Sequence, residues 1–269
     1  MKKALMIQIK ILVFFFGWAI LVGVINVPSS DPAVWRFYAE LIPFTVMVVF
    51  TILFVKLERG EVLIPIKNNW EKGTVTGIII GLIWIGLSAG ILLAAHQLKI
   101  VGRTDVHKLW LWMVSAFINV VMQELLVRGY IYQLLKKNYR LPFAVFVTTV
   151  LFTLLHGGAF EAGLVPVLNV VTMCLFTTAL YEAEGTLLAP IMAHAVWNIV
   201  GSIILSGVSL ADDYPSLYSM AASGNVLFSG GEYRIEGSIV VLMINIALML
   251  YFCLRYKKTQ NNMSQKIMN

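Results

Sequence analysis

The stretch VVMQELLVRGYIYQLL, residues Val120–Leu135, places an acid and a base in the middle of an apolar helical pattern. Glu124 and Arg128 are four residues apart, so they share one face of a helix. A charged side chain at the centre of a membrane helix costs about 2.5–3.5 kcal/mol on insertion scales. Two charges in such a place indicate either a functional site or an ion pair that only fixes helix packing.

The composition around this stretch is that of a membrane protein. Hydrophobic residues make up 59% of the 269 residues and charged residues 13%, whereas soluble domains are about 45–50% apolar and roughly 25% charged. The net charge is +6. Because the basic residues lie at the ends of apolar runs, they indicate membrane topology rather than nucleic-acid binding. We therefore expect a single membrane domain over residues 1–269, in contact with the lipid bilayer.

Eight apolar runs predict an all-α fold, a polytopic membrane bundle of about eight transmembrane helices. A membrane-spanning helix needs about 20 residues, with a range of about 17–25, and the second and fifth runs are shorter than that. The eight runs are Ile11–Val27, Leu41–Val55, Val75–Ala95, Leu109–Leu135, Pro142–His156, Leu164–Tyr181, Leu187–Leu205 and Ile239–Tyr256. The first of them is predicted to be an uncleaved span rather than a signal peptide.

The positions of lysine and arginine predict the orientation of the spans in the cell membrane. Most of the 20 basic residues fall on the inner side if the N-terminus is cytoplasmic, so both termini are predicted to be cytoplasmic. The loop that carries Lys99, Arg103 and Lys108 runs against this rule. The polar loop from Ser206 to Gly237 then forms either an extracytoplasmic cap or a disordered connector.

Two further runs carry polar side chains at the same spacing of four residues. Phe152 and His156 lie within FTLLH in the fifth run, and His194 and Asn198 lie within HAVWN in the seventh. Each helix therefore presents one polar strip on an apolar surface. If the three strips converge, they form a polar pocket inside the bundle.

Structural explanations exist for each polar strip taken alone. His156, which precedes two glycines, could be interfacial, and His194 could cap a kink at Pro190. Together, however, a carboxylate, two imidazoles, an amide and a guanidinium suit peptide hydrolysis. A general base activates water, and a neutral imidazole N–H with an asparagine amide can stabilise an oxyanion.

Metal binding and proton transport are two other readings of the same residues. Glu124, His156 and His194 could form a zinc site with two histidines and one glutamate, but the HExxH signature is absent. We therefore expect no cofactor, with a zinc ion as the alternative. Buried Glu and His can also relay protons in a transporter, yet no inverted repeat is visible.

The motifs QELLVRG, FTLLH and LLAPIMAHAVWN, in this order, resemble the CAAX-protease and bacteriocin-processing family, also called the Abi family. Its pattern is EExxxR, FxxxH and HxxxN on three helices. The resemblance covers about Val120 to Asn198, within a predicted protease core at about 109–207. It implies a glutamic-type intramembrane endopeptidase, similar to CAAX prenyl endopeptidases, that cuts a membrane-associated peptide or a lipid-anchored protein. Some bacterial members are linked to bacteriocin immunity.

The resemblance also implies a role for each matched residue. His156 would help the base to bind water, and His194 and Asn198 would form the oxyanion hole. Arg128 and Glu124 would hold the site in order.

One matched position departs from the family pattern, because its first glutamate falls on Gln123. A glutamine side chain cannot take up a proton, which leaves three hypotheses. Glu124, about 100° around the helix, serves as the base. Alternatively, Gln123 holds the water while His156 takes the proton. In the third hypothesis hydrolysis is lost, and the protein is a non-cleaving immunity or regulatory membrane protein.

Overall fold

The protein is a polytopic bundle of membrane helices, as the sequence predicts. The computed structural model describes residues 2–27 and 29–268, and it is 76% helical. Six helices in the described residues are long and apolar enough to cross a membrane, and the fifth and seventh predicted runs form shorter apolar helices, Leu141–Leu155 and Leu188–Ile204. The predicted domain limits, Met1 and Asn269, lie outside the described residues.

The first three spans are α1 (Lys2–Gly23), α2 (Pro32–Leu57) and α3 (Trp70–Ala94). Helix α2 begins nine residues before the apolar run that predicted it. Its start is fixed by Asp31, whose side chain accepts a hydrogen bond from the Val34 N–H at 3.0 Å, and by a proline in the first turn.

The fourth run is helical except at a kink at Gly129, and its type of helix changes along its length. It forms α4 (Leu109–Glu124), a π-helical segment (Leu125–Tyr130) and α5 (Ile131–Asn138). Gly129 lies outside helical geometry, with ψ at −118°. A π-helical segment widens the helix by one residue per turn and often occurs at functional sites.

The remaining helices follow the predicted runs closely. They are α6 (Leu141–Leu155), α7 (Gly157–Ala162), α8 (Leu164–Glu184) and α9 (Leu188–Asn198), which continues into a second π-helical segment (Ile199–Ile204). The last span, α12 (Ile239–Met268), begins where the prediction placed it and runs longer.

The loop from Ser206 to Gly237 contains regular structure that the sequence analysis did not predict. Its strand β2 (Tyr218–Ala222) pairs antiparallel with β1 (Leu98–Arg103), with a bulge between Ile100 and Gly102. A 3₁₀ turn (Gly231–Tyr233) and two helices of four residues, α10 (Val226–Ser229) and α11 (Arg234–Gly237), complete it. The charges in LKIVGR concealed a short run with two β-branched residues, a composition that favours a strand.

The chain divides into two compact units, and one of the three boundaries between them falls inside α6. The first unit holds the residues up to Ile64 and Val106–Thr148. Its aromatic core includes Phe14, Phe54 and Tyr130, with ring centroids 5.0–5.2 Å apart. The Tyr130 hydroxyl donates a 2.7 Å hydrogen bond to Glu58.

The second unit holds Pro65–Asp105 and the chain from Thr149 onward. Helix α3 packs closely on α9 through glycines spaced four residues apart. A Cβ at Gly77 would lie 2.4 Å from the Ala189 carbonyl oxygen, and one at Gly81 would lie 2.9 Å from the Ala193 carbonyl oxygen. Small residues at this spacing let two membrane helices approach closely, and here they position the helix that carries His194.

Candidate functional site

The two charges of the fourth run neutralise each other within one helical turn. Arg128 Nη1 donates to Glu124 Oε2 at 2.7 Å, and the two side chains are 0% and 1% exposed. A charge-assisted hydrogen bond of this length offsets part of the cost of burying both charges. The predicted ion pair is present, and it lies where α4 passes into the π-helical segment.

Gln123 belongs to a polar chain in the first unit that leads to Glu40 and Arg36. Its Nε2 donates to Asn119 Oδ1 at 2.7 Å, and Asn119 Nδ2 donates to Glu40 Oε2 at 2.7 Å. Glu40 Oε1 accepts from Arg36 at 3.1 Å. Gln123 Oε1 is buried, and no hydrogen-bond donor among the described residues reaches it.

The sequence analysis missed Glu40 and Arg36 as neighbours of the candidate site. Their spacing of four residues is the signal that also marked Glu124 and Arg128, but the second apolar run was taken to begin at Leu41. Glu40 is only 5% exposed. A buried carboxylate in a membrane helix is a functional candidate by default.

His156 lies at the point where α6 ends. Its backbone N–H bonds to the Thr153 carbonyl at 3.0 Å, so the Phe152 carbonyl loses the partner that a continued α-helix would supply. The His156 ring takes that place, with Nδ1 at 2.8 Å from the Phe152 oxygen. Because a carbonyl only accepts, Nδ1 carries a proton, and the neutral ring then has its lone pair on Nε2.

His194 is buried in α9, and its ring packs near the same phenylalanine as that of His156. The Phe152 ring lies 4.2 Å from the His156 ring and 6.2 Å from the His194 ring, measured between centroids. Phe152 is therefore the common packing partner of both imidazoles. Asn198, one turn after His194, is 5% exposed.

Helix α9 is held by contacts on either side of these polar residues. The Trp197 ring stacks on Trp84 of α3 with centroids 3.9 Å apart, and the Trp84 indole N–H donates to Asn245 of α12 at 2.8 Å. Pro190 lies in the first turn of α9, where its missing N–H costs no helical hydrogen bond. Aromatic stacking next to Asn198 and a buried hydrogen bond thus fix how α9 is rotated.

The structure gathers the predicted residues in two sets, one in each unit. Gln123, Glu124 and Arg128 lie on consecutive turns in the first unit. His156 and His194 contact Phe152 in the second. That the two sets share one pocket stays a prediction.

Comparison with known proteins gives one match. The family model of type II CAAX prenyl endopeptidases, Rce1-like, matches residues 105–200. The matched segment contains all six predicted site residues, which are Gln123, Glu124, Arg128, His156, His194 and Asn198. The resemblance predicted from the three motifs is confirmed over this segment. No match is found among curated proteins or among solved structures.

Proposed function

We propose that this protein is an intramembrane endopeptidase that hydrolyses a peptide bond in a membrane-associated peptide or a lipid-anchored protein. The observation that carries the proposal is the match of residues 105–200 to the type II CAAX prenyl endopeptidases. All three polar motifs lie inside that segment, and together they supply the groups that acyl transfer to water requires.

The ion pair of Glu124 argues against this residue as the base that activates water. Its carboxylate accepts a 2.7 Å hydrogen bond from Arg128. A carboxylate that is held by a guanidinium at this distance has one oxygen already engaged and its orientation fixed, which suits a positioning role better than the activation of water. In the proposed mechanism, Glu124 and Arg128 instead supply a fixed, locally neutral element beside Gln123.

In the proposed mechanism, which requires the predicted shared pocket, Gln123 and His156 together perform the role that a glutamate would have alone. The buried Oε1 of Gln123 can accept one hydrogen of a water molecule. His156, whose Nδ1 proton is held by the Phe152 carbonyl, can take the other hydrogen on Nε2 as the water oxygen attacks the scissile carbonyl. Protonated His156 then returns this proton to the leaving amine.

His194 and Asn198 are the proposed donors to the oxyanion that forms on the scissile carbonyl. Both are buried on α9, and a helix locked by the stack of Trp197 on Trp84 holds its side chains without reorganisation. Removing one donor from an oxyanion hole typically lowers kcat by about 10²–10³. No step of this mechanism passes through a metal, so a chelator is expected to leave cleavage unchanged.

The test compares the membrane peptides of four strains, which carry the wild type, a deletion, His156→Ala or His194→Ala. We expect the deletion and both histidine variants to accumulate the same unprocessed peptide. His96→Asn is the control, because His96 is exposed and has the positive φ of 54° that asparagine tolerates. Normal processing in both histidine variants would contradict the proposal.

A purified system asks the same question with a defined probe. The detergent-solubilised protein is incubated with a quenched fluorescent, farnesylated CAAX peptide, the substrate class in the matched family's description. Gln123→Leu removes the water acceptor, and we expect cleavage to fall by about tenfold or more. Gln123→Glu supplies a carboxylate, so cleavage should be retained or increased.

A non-cleaving immunity or regulatory protein is the second candidate, and Gln123 is the observation that favours it. A protein of this kind would use the polar residues to hold a peptide without hydrolysis. Its cellular phenotype would then survive His156→Ala and His194→Ala while the protein remains folded. Loss of the phenotype in both variants, with normal folding, would exclude it.

A further inference from the structure

The polar chain that runs from Arg36 to Gln123 has a fixed direction. We propose that Glu40, acting through Asn119, is a positioning residue that turns the oxygen of the Gln123 amide towards the water. The inference rests on the proposed function for the role of that water. The orientation of the amide can be tested without it.

The direction of the chain follows from the carboxylate at its end. A carboxylate only accepts hydrogen bonds, and that of Glu40 forms an ion pair with the Arg36 guanidinium at 3.1 Å. Asn119 must therefore turn its Nδ2 towards Glu40, at 2.7 Å. Its Oδ1 is then left to accept, so Gln123 must donate through Nε2, at 2.7 Å.

This order leaves Gln123 Oε1 as an acceptor at the end of the chain. The atom is buried, and no donor among the described residues reaches it. Buried polar atoms nearly always have a hydrogen-bond partner, either protein or ordered water. An O–H of the hydrolytic water is the donor that the proposed mechanism supplies.

A glutamate at this position would need no such help. A carboxylate has two equivalent oxygens, so it presents an acceptor whichever way it turns. An amide presents an acceptor in one orientation and a donor in the other. Glutamine at position 123 therefore depends on a neighbour of fixed polarity, and Glu40 with Asn119 provides one.

The test is a double-mutant cycle on cleavage of the farnesylated peptide. With Gln123 present, Asn119→Leu should lower kcat by about tenfold, the loss expected for one hydrogen bond to a group in the transition state. Glu40→Gln, which lets the chain run in either direction, should lower kcat by at least about twofold. In the Gln123→Glu background, both substitutions should have little effect.

Trp18→Phe is the matched control for a packing role of α2. It removes a 3.0 Å hydrogen bond from the indole N–H of Trp18, on α1, to the Pro43 carbonyl of α2. Its kcat should equal that of the wild type in both backgrounds. Equal losses for Asn119→Leu with Gln123 and with Glu at position 123 would overturn the inference. The proposed function would still stand on the histidine variants.

A second measurement reads the amide directly and does not depend on hydrolysis. In protein labelled with ¹⁵N-glutamine, the signal that disappears in Gln123→Glu belongs to the Gln123 side-chain amide. We expect its hydrogens to be protected from exchange in the wild type and in Trp18→Phe, and to exchange faster in Asn119→Leu and Glu40→Gln. Unchanged exchange in the last two variants would overturn the inference, whether or not the protein cleaves peptides.

Discussion

Buried polar side chains are stabilised in different ways in the two sets of candidate residues. In the first unit, Glu124 and Arg128 are fully charged and neutralise each other over one turn of the same helix, at 2.7 Å. In the second unit, His156 and His194 are held by an aromatic ring and, for His156, by a backbone carbonyl. Charge is compensated locally, whereas the imidazoles depend on packing between helices.

This difference predicts that the ion pair contributes to the stability of the fold and that the histidines contribute to hydrolysis. A buried ion pair of this kind is costly to break. A neutral imidazole that donates one N–H to a carbonyl carries its lone pair on the other nitrogen, which is the atom that the proposed mechanism uses. The comparison therefore predicts that substitutions in the ion pair of Glu124 and Arg128 mainly lower stability, and that those at the histidines mainly lower activity.

Breaking the ion pair should produce the largest loss of stability. Arg128→Met leaves the Glu124 carboxylate buried without its guanidinium, which typically costs about 3–5 kcal/mol. We expect a clear fall in the unfolding temperature of the detergent-solubilised protein. The double variant Glu124→Gln, Arg128→Met should recover most of that loss, because no charge is then left behind.

Arg103→Met is the control for this experiment. Arg103 pairs with Asp105 at 4.0 Å on the surface, and such pairs contribute about 0–1 kcal/mol. A loss in Arg128→Met no larger than that of Arg103→Met would contradict the view that the ion pair of Glu124 and Arg128 stabilises the fold.

The packing behind the histidine set can be tested at the contact between α3 and α9. Gly77→Ala places a Cβ 2.4 Å from the Ala189 carbonyl oxygen, and such overpacking typically costs about 1–3 kcal/mol. Gly86→Ala in the same helix has open space around its Cβ, so it should leave stability equal or higher. Cleavage should fall in Gly77→Ala, because α9 carries His194, and remain normal in Gly86→Ala.

The loop that follows α9 should give the second unit a dependence on pH. Burial raises the pKa of Glu236 to about 7 from 4.5, partly opposed by a hydrogen bond from the Ser209 N–H. The folded state therefore favours the protonated acid, and stability should fall as pH rises between these two values. Glu236→Gln should remove this slope in thermal unfolding measured across that range.

Glu232→Gln is the control for the pH experiment, since Glu232 is an exposed acid in the same loop. Its unfolding temperature should follow the wild-type curve with pH. The explanation fails if Glu232→Gln flattens the curve as much as Glu236→Gln does.

The smallest effect on stability is expected at His156. Its side chain is half-buried, and His156→Gln can still donate to the Phe152 carbonyl, so the change in unfolding free energy should stay below about 1 kcal/mol. Cleavage of the peptide should nevertheless be lost. A destabilisation as large as that of Gly77→Ala would place His156 among the structural residues.

Much of the fold could be predicted because hydrophobic runs are a local property of the sequence. Each of the eight runs forms a helix, and α9 begins within one residue of the start predicted from the 12-residue motif LLAPIMAHAVWN. The start of α2 was missed because Arg36 and Glu40 interrupt the apolar pattern. The two side chains pair at 3.1 Å across one turn of α2. The mean hydropathy of the segment does not detect such a pair, because it counts each charge separately.

The sequence by itself determined that three helices carry polar pairs four residues apart, since this spacing follows from the geometry of a helix. It did not determine which hydrogen bonds those pairs make. Gln123 is linked to Glu40 through Asn119, and the hydrogen bond from Asn119 to Glu40 joins residues that are 79 positions apart in the sequence. Only tertiary packing decides such contacts, because they depend on how α2 and α4 are rotated and how deeply each is placed against the other.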